Sequence, residues 1–343
     1  MNTLPSKFTT ILSLLLIVLS LDVIGQSNDL VPVMETRKYG YINNTGSLVI
    51  ATQYEYGAAF SEGMAHVKIN GKRGFIDTKG NMVVEAKYEK VRNFIDGLAA
   101  VKFEGRWGYI NKTGEYVVEP KYDYGYSFSE GMARIQVGVK IGYIDTKGTI
   151  IIEPQFDAGY DFKEDVARVK KGDFKTGKWA YIDKTGNPVL GFRFDDCFDF
   201  SGGVANVRIG DEQSGKWGYI NKKGDFIIEP MFDRAFLFRE GLALIRIGSY
   251  KTGKYGYINK EGGLIINPQF HGAHHFFEGL ACVKSDQNGK WGYIDKEGNV
   301  VISYQFDIPA DFNGGLARVM RGGHKSGVTG YIDQTGKWVW EDK

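Results

Sequence analysis

The sequence predicts an all-β fold built from tandem repeats, and three observations carry this prediction. The phrase aromatic-Ile-[Asp/Asn]-x-x-Gly occurs nine times in 343 residues, at intervals of 34–38 residues. The composition is rich in Gly (46) and in aromatic residues (22 Phe, 20 Tyr and 6 Trp), whereas Pro (8) is scarce. No window of the sequence shows helical periodicity. A regular period of this length is the signature of a repeat architecture and outweighs local signals.

Each repeat has a stretch of fixed length and one loop of variable length. The first aromatic of the phrase is Tyr41, Phe75, Tyr109, Tyr143, Tyr181, Tyr219, Tyr257, Tyr293 or Tyr331. An Ala in a Gly-aliphatic-Ala-x-[Val/Ile] phrase follows it by 24 residues in eight repeats: Ala65, Ala99, Ala133, Ala167, Ala205, Ala243, Ala281 and Ala317. From that Ala to the next aromatic the distance is 10, 12 or 14 residues. The fixed stretch is therefore interpreted as framework, and the variable loop as surface.

The repeat predicts three strands in a meander. Ala99–Lys102 alternates apolar with polar residues, as a half-buried strand does, and a Gly-Arg hairpin leads into a second strand, Trp107–Asn111. The [Asp/Asn]-x-x-Gly turn follows, with Gly at the left-handed position. The third strand is Val-Val or Ile-Ile and is often closed by Pro, for example Pro120. Each repeat is thus predicted as a three-stranded meander followed by a connector.

Three aromatic columns are predicted to form the core, and a column of acids follows the second of them. The third column is Phe60, Phe94, Phe128, Phe162, Phe200, Phe238, Phe276 and Phe312. The acids are Glu55, Glu89, Asp123, Asp157, Asp195, Asp233 and Asp307. An acid present in nearly every repeat is interpreted as structural, accepting backbone hydrogen bonds at a bend. Catalysis needs one asymmetric constellation and the sequence offers none, so we expect no enzymatic activity.

The segments Lys216–Gly224 and Lys290–Gly298 both read Lys-Trp-Gly-Tyr-Ile-[Asp/Asn]-Lys-x-Gly. This pattern resembles the WG-repeat (KWG) family of bacterial tandem β-repeat proteins, and the resemblance extends over roughly residues 31–343. It implies an all-β repeat module without defined catalytic residues. The sequence departs from the pattern where the Trp position holds another residue (Tyr39, Arg73, Ile141, Tyr255 or Thr329) and where Ala180 follows Trp179.

Two architectures fit these repeats. The favoured one is an open β-solenoid-like or superhelical array in which each meander buries its face on its neighbours. The alternative is a β-propeller, in which the connector supplies a fourth strand to each blade; a 34-residue repeat is short beside the ~40–50 residues of most blades. We expect one repeat domain over residues 26–343, with eight complete units and a truncated C-terminal ninth.

Residues 1–25 are predicted to be a signal peptide. Lys7 precedes an apolar run, Ile11–Leu21, which is too short to span a bilayer, and Gly25 offers a small residue ahead of cleavage near Gln26. We therefore expect an exported bacterial protein, periplasmic or extracellular, without membrane insertion after cleavage. A net charge of +2 gives no global field for nucleic acid, so none is expected as a partner.

Several motifs that resemble functional sites have a structural interpretation. The segments Gly172–Lys178, Gly210–Lys216 and Gly248–Lys254 match part of a phosphate-binding loop, but a strand follows them, so they are interpreted as long hairpins. The cluster His271, His274 and His275 has no neighbouring Cys in the sequence, and His271 only replaces the recurring acid. We therefore expect no metal and no cofactor. Cys197 and Cys282 are predicted to be unpaired thiols.

A low-specificity signal for binding comes from basic residues on the first strand and from aromatics in the long hairpins. The possible contact face is Arg134, Arg168, Phe174, Arg208, Arg246, Tyr250 and Arg318. The predicted function is a non-enzymatic exported scaffold for macromolecular, mainly protein–protein, interaction. The alternative is a carbohydrate-binding module that stacks sugars on Trp107, Trp217 and Trp291, which requires these three side chains to be exposed. The expected partner is an unidentified protein or an envelope glycan.

Overall fold

The computed structural model describes residues 30–43, 46–173, 175–286, 289–323 and 327–341. Within these ranges the regular secondary structure is strand throughout, which confirms the all-β prediction. No helix in this part of the chain is long and apolar enough to span a membrane. The predicted signal peptide, residues 1–25, lies outside the described residues, as does Phe174.

The chain forms two compact units. The first ends at Phe162 and also includes Lys184–Gly186; the second includes Lys163–Asp183 and continues from Asn187. In the first unit the strands are β1 (Val31–Glu35), β2 (Lys38–Ile42), β3 (Leu48–Tyr54), β4 (Tyr56–Gly57), β5 (Met64–Ile69), β6 (Lys72–Asp77), β7 (Met82–Tyr88), β8 (Lys90–Val91), β9 (Leu98–Phe103), β10 (Arg106–Asn111), β11 (Tyr116–Tyr122), β12 (Tyr124–Ser129), β13 (Met132–Val137), β14 (Lys140–Asp145), β15 (Ile150–Phe156) and β16 (Ala158–Gly159).

The second unit repeats the same succession of strands. They are β17 (Ala167–Lys171), β18 (Lys178–Ile182), β19 (Pro188–Phe194), β20 (Asp196–Cys197), β21 (Val204–Ile209), β22 (Lys216–Asn221), β23 (Phe226–Phe232), β24 (Arg234–Arg239), β25 (Leu242–Ile247), β26 (Lys254–Ile258), β27 (Leu264–Phe270), β28 (Gly272–Ala273), β29 (Ala281–Lys284), β30 (Trp291–Ile294), β31 (Val300–Phe306), β32 (Leu316–Arg321), β33 (Val328–Asp333) and β34 (Trp338–Glu341). The strands form small antiparallel sheets in chain order, which confirms the tandem repeat.

The predicted meander is present, but most sheets have a fourth strand. In the first unit β4, β8 and β12 pair with the first strand of the meander that follows them. In the second unit β20, β24 and β28 do the same. The predicted three-stranded meander is therefore confirmed, and in these sheets the connector adds a short fourth strand at the edge. Its backbone groups find partners there: the N–H of Ala58 donates to the carbonyl of His66 over 3.0 Å.

A bulge in the third strand explains the Gly that follows the Trp position. Tyr109 pairs with Val118 and Trp107 with Tyr122, so three residues of β11 lie opposite Gly108. A Cβ on Gly108 would lie 2.5 Å from the carbonyl oxygen of Val118. A side chain at this position would collide with backbone, because the strands approach too closely.

Ala180 stands where the other repeats have the close-packed Gly, and this repeat also has a Gly in the bulge of its third strand. Its bulge, between the pairs Trp179–Phe194 and Tyr181–Leu190, contains Gly191. Gly191 has open space where its own Cβ would lie. The extra methyl group of Ala180 thus lies opposite a bulge that contains the most permissive backbone residue.

The [Asp/Asn]-x-x-Gly turn forms as its residues predict. The Asp77 carboxylate accepts hydrogen bonds from the N–H groups of Lys79 (2.9 Å) and Asn81 (2.8 Å). Gly80 has φ +86°, the left-handed conformation that favours Gly. The turn therefore connects the second and third strands with its backbone donors satisfied.

Neighbouring sheets share their core. One apolar cluster combines Trp217, Tyr219 and Phe232 from the sheet β20–β23 with Ala243 and Ile258 from the sheet β24–β27. The first aromatic column is fully buried from Tyr41 to Tyr293, and Tyr331 in the last repeat is partly buried. The prediction that the aromatic columns form the core is confirmed for this column, and within each unit neighbouring repeats bury their faces on one another.

The tyrosines of this column also hold the connectors in place. From Tyr41 to Tyr293, each tyrosine hydroxyl of the column donates to a carbonyl oxygen 17 residues further on, for example Tyr219 to Phe236 over 2.6 Å. The same bond is made by Tyr41, Tyr109, Tyr143, Tyr181, Tyr257 and Tyr293. A buried phenol needs such a partner, and the connector carbonyl provides it.

Candidate functional site

The acid column serves the fold. The carboxylate of Asp233 accepts a hydrogen bond from the N–H of Gly248 over 2.7 Å, at the start of a long hairpin, and binds Lys216 Nζ over 2.6 Å. Asp195 and Asp307 make the equivalent contacts in their own repeats. These contacts match the interpretation of the acids as backbone hydrogen-bond acceptors.

Two arginines of the predicted contact face are occupied within the chain. Arg134 Nε lies 2.6 Å from Asp161 Oδ1, and its side chain is 13% exposed. Arg168 makes the same contact with Asp199 over 2.6 Å and is 11% exposed. Their guanidinium groups are therefore neutralised by connector carboxylates, and the basic stripe does not form a free basic face at these two positions.

Arg246 and Tyr250 are the predicted contact residues that the structure brings together. They lie on β25 and on the long hairpin after it, and the guanidinium carbon of Arg246 is 5.8 Å from the centre of the Tyr250 ring. Tyr250 is 87% exposed. The hairpin is closed by a 2.7 Å hydrogen bond from the N–H of Gly253 to the carbonyl of Ser249. An exposed aromatic side chain is thus presented on an ordered turn.

Two further predicted contact residues lie on other strands of the second unit. Arg208 occupies on β21 the position that Arg246 occupies on β25. Its guanidinium carbon lies 5.9 Å from the centre of the Trp217 ring. Arg318 on β32 is exposed.

The tryptophans required by the carbohydrate alternative are not a solvent-facing platform. Trp107 is 3% exposed and Trp217 is 2% exposed, and Trp291 is partly buried. These rings pack against neighbouring repeats because they complete the core. The carbohydrate alternative requires these three side chains to be exposed, and this requirement is not met.

A cleft of about 400 Å³ lies in the second unit, where the histidine cluster is found. Its lining includes Phe236, Arg239, His274, His275 and Asp311. His271 contacts Lys254 instead of lining this cleft: its Nδ1 lies 2.8 Å from Lys254 Nζ, where other repeats have the recurring acid. The interpretation of His271 as a replacement for that acid fits this contact.

At the cleft, three different potential metal ligands converge. Nδ1 of His274 is 2.9 Å from Oδ1 of Asp311, and Sγ of Cys282 is 3.6 Å from the same oxygen. All three ligand atoms lie within 4.8 Å of one another. Burial and the Asp311 carboxylate raise the pKa of the Cys282 thiol well above its ordinary value. Without a cation the group is therefore a protonated thiol beside a carboxylate.

The sequence shows His274 only as part of a histidine cluster for which no metal is expected, and it does not indicate Cys282 or Asp311 as its partners. Cys282 and Asp311 are 29 residues apart in the chain and meet only because neighbouring repeats pack together. A usable signal was the position of Cys282, which directly follows the framework Ala281, as Arg134 and Arg168 follow Ala133 and Ala167. Both cysteines are free and buried, which confirms the predicted unpaired thiols.

The comparisons with known proteins identify the repeat but no activity. The family described as the WG containing repeat matches residues 39–72, 74–107, 107–140, 141–179, 179–212, 217–250, 255–291 and 291–323. No curated protein matches the chain.

Solved structures match over most of the chain at low identity. The extracellular domain of the hybrid two component system BT3049 from B. thetaiotaomicron is 10% identical, with 92% of this chain and 57% of that chain covered and a TM-score of 0.27. The tricorn protease is 11% identical (88% and 41% covered, TM-score 0.36). The acylaminoacyl peptidase of Pyrococcus horikoshii is 12% identical (89% and 57% covered, TM-score 0.34). This chain spans between 41% and 57% of the length of these structures, and the TM-scores support no functional comparison.

The eight matched segments follow one another through the strands described above and cover most of the chain. They contain the buried aromatic column, the close-packed Gly and the hydrogen-bonded turn in repeat after repeat. The resemblance seen in the sequence is confirmed: the chain belongs to the WG containing repeat family.

Proposed function

We propose that this repeat array is a non-enzymatic scaffold that binds another protein through its long hairpins. The observation that carries the proposal is Tyr250, 87% exposed on a hairpin whose backbone is fixed by its own hydrogen bonds. Tyrosine is enriched at the energetic centres of protein interfaces, and a rigid hairpin lowers the entropy lost on binding. Arg246 beside the ring adds a positive charge that suits an acidic partner.

The division of each repeat into framework and variable hairpin supports the same function. The framework is fixed by buried aromatics and by carboxylates that bind backbone N–H groups. The hairpin from Ile209 to Lys216 is longer than the one from Phe103 to Arg106, although both connect equivalent strands. Changes in hairpin length leave the core unchanged, so binding surfaces can vary on a constant support.

We further propose that the protein acts outside the cytoplasm. The pattern of residues 1–25 motivates this part, through the basic Lys7, the short apolar run Ile11–Leu21 and the small Gly25. N-terminal sequencing of the protein recovered from its native host tests it directly. A mature chain beginning near Gln26 is expected, and a chain that retains Met1 would contradict export by cleavage.

A pull-down with matched variants tests the binding role. The bait is the purified protein, and the variant bait has the hairpins at Gly210 and Gly248 shortened to the two-residue turn of the Phe103–Arg106 hairpin. A control bait carries Lys223→Ala in a framework turn. A protein retained by the wild type and the control but lost by the shortened variant supports the proposal. Retention of only a glycan, or equal retention by all baits, would contradict it.

A further inference from the structure

A recurring ion pair is missing from the repeat that contains Cys282. Asp immediately precedes the connector Phe in three repeats, at Asp161, Asp199 and Asp311. The first two carboxylates each bind an arginine of the preceding repeat over 2.6 Å. At the equivalent strand position Asp311 meets Cys282 instead. The third carboxylate therefore lacks the guanidinium that neutralises the other two.

Cys282 stands where the other two repeats have Arg, so a cationic side chain is replaced by one that can bind a metal. His274 also contacts Asp311, with its Nδ1 2.9 Å from Oδ1. The position thus combines an imidazole nitrogen, a thiol sulfur and a carboxylate oxygen, which are the ligand types found in zinc sites. Cys282 is buried, whereas His274 and Asp311 line the cleft and can be reached by an ion from solvent.

We propose that His274, Cys282 and Asp311 bind a divalent transition metal of the Zn²⁺ class, which takes the place of the missing arginine. In a tetrahedral zinc site with bonds of ~2.0–2.3 Å, ligand atoms lie roughly 3.3–3.8 Å apart. The sulfur–oxygen distance of 3.6 Å already lies in this range. The nitrogen–oxygen distance of 2.9 Å needs to open by about half an ångström, and all three ligand atoms lie within 4.8 Å of one another.

The charges balance when the metal binds. Zn²⁺ forms a bond to the sulfur of Cys282, and the thiol proton leaves to solvent, so one proton is released for each ion bound. The thiolate and the Asp311 carboxylate then neutralise the two positive charges, and His274 binds as neutral imidazole. Three protein ligands leave a fourth position for water or for a group that enters the cleft beside Arg239.

Metal binding by the full chain and four variants tests the proposal. The protein is stripped with a chelator and then titrated with Zn²⁺ and, separately, with Co²⁺, whose absorption reports a thiolate ligand. Cys282→Ser and Asp311→Asn each remove one ligand. Cys282→Arg rebuilds the ion pair seen at Arg134 and Asp161, so it should keep the fold while abolishing the site. Cys197→Ser is the matched control, because Cys197 is the other buried free cysteine.

The wild type and Cys197→Ser are expected to bind one Zn²⁺ per chain and to show the cobalt–thiolate absorption. Substitution of an outer-shell partner typically lowers metal affinity 10–100-fold. Cys282→Ser and Asp311→Asn each remove a direct ligand, so we expect each to lower the affinity for Zn²⁺ by more than ~100-fold. Cys282→Arg is expected to bind no metal while unfolding at the same denaturant concentration as the wild type. Absence of stoichiometric binding in the wild type, or binding that survives Asp311→Asn and Cys282→Arg, would overturn the proposal.

Discussion

The carboxylate of Glu240 accepts a 3.0 Å hydrogen bond from the backbone N–H of Gly279, 39 residues further along the chain. The same carboxylate is 3.1 Å from Lys296 Nζ, and the lysine also donates to the backbone carbonyl of Glu240 over 3.0 Å. Equivalent carboxylate-to-turn bonds join Glu62 to Gly97, Asp96 to Gly131, Glu164 to Gly203 and Glu278 to Gly315. Consecutive repeats are therefore joined by polar contacts at their turns as well as by their shared core.

The contact between the Glu240 carboxylate and the Gly279 N–H predicts that the fold loses stability in acid. Burial raises the pKa of Glu240, but hydrogen bonds from Lys296, Gly279 and Glu278 outweigh burial and leave the pKa below its ordinary value of 4.5. A carboxyl group with a lowered folded-state pKa stabilises the fold above its unfolded pKa and loses that contribution as pH falls through the folded value. Glu240→Gln is expected to lower the free energy of unfolding by about 1 kcal/mol at pH 7 and to have a smaller effect at pH 3. Urea unfolding at both pH values measures this.

Glu212→Gln, in an exposed hairpin, is the matched control for Glu240→Gln. It removes the same charge without removing a bond between repeats. An equal loss of stability in both variants would assign the effect to net charge and contradict the proposed role of the Glu240 contact.

Loss of one hydroxyl from the buried tyrosine column should destabilise the protein. Tyr219→Phe removes the bond to the Phe236 carbonyl and leaves that oxygen without its partner, so we expect a loss of about 1–2 kcal/mol. Tyr250→Phe, at an exposed position, is the control and should change stability by less than ~0.5 kcal/mol. Denaturant unfolding followed by tryptophan fluorescence gives both values. If Tyr219→Phe is as stable as the wild type, the hydroxyl does not fix the connector.

The Gly that follows the Trp position packs against the backbone of the third strand, so we expect a substitution there to be compensated by a second one in that strand. A Cβ on Gly256 would lie 2.5 Å from the Ile266 carbonyl oxygen, so Gly256→Ala should cost more than ~2 kcal/mol. Adding Asn267→Gly reproduces the combination of Ala180 with Gly191, and we expect the double variant to regain part of the loss. Unfolding free energies of the two single variants and the double variant form the test. Simple additivity of the two effects would show that the bulge does not accommodate the methyl group.

A second effect of pH on stability is expected from His66, at higher pH than the effect of Glu240. Burial, with a smaller contribution from Arg73, lowers the pKa of His66 from 6.5 to about 4. As pH falls from 6.5 towards 4, the unfolded chain takes up a proton that the folded chain does not, so stability decreases. The contribution should reach about 2 kcal/mol near pH 4, after allowance for the partial exposure of the ring.

Comparison of the wild type with His66→Gln between pH 7 and pH 4 isolates this effect. The variant lacks the titrating ring, so its stability should fall less steeply over that interval. Parallel pH profiles for the two proteins would show that His66 is protonated in the folded state.

The framework could be predicted from the sequence because its determinants are local and repeated. The positions of Ala65, Phe75 and Gly80 give strand, strand and turn in one repeat, and eight further copies of the phrase support the same assignment. The short strand Tyr56–Gly57 could not be predicted, since two residues carry no alternation and their pairing depends on the neighbouring edge.

The contact residues were harder to predict because they depend on packing between repeats. Arg134 and Arg168 were expected on an outer basic face, but carboxylates from the following connectors reach them and partly bury them. The same packing brings Cys282 to Asp311, 29 residues further along the chain. A side chain's partner across a repeat boundary is determined by the packing of the two repeats and not by sequence spacing.

Photo-crosslinking at the tip of the long hairpin tests the central claim, that the hairpins contact a partner while the framework supports them. A photoreactive amino acid replaces Tyr250 in one variant and Lys223, in an exposed framework turn of the same unit, in the other. Both variants are exposed to the extract of the native host under identical conditions. The account predicts one protein crosslinked through position 250 and not through position 223. Equal crosslinking at both positions, or none at position 250, would contradict it.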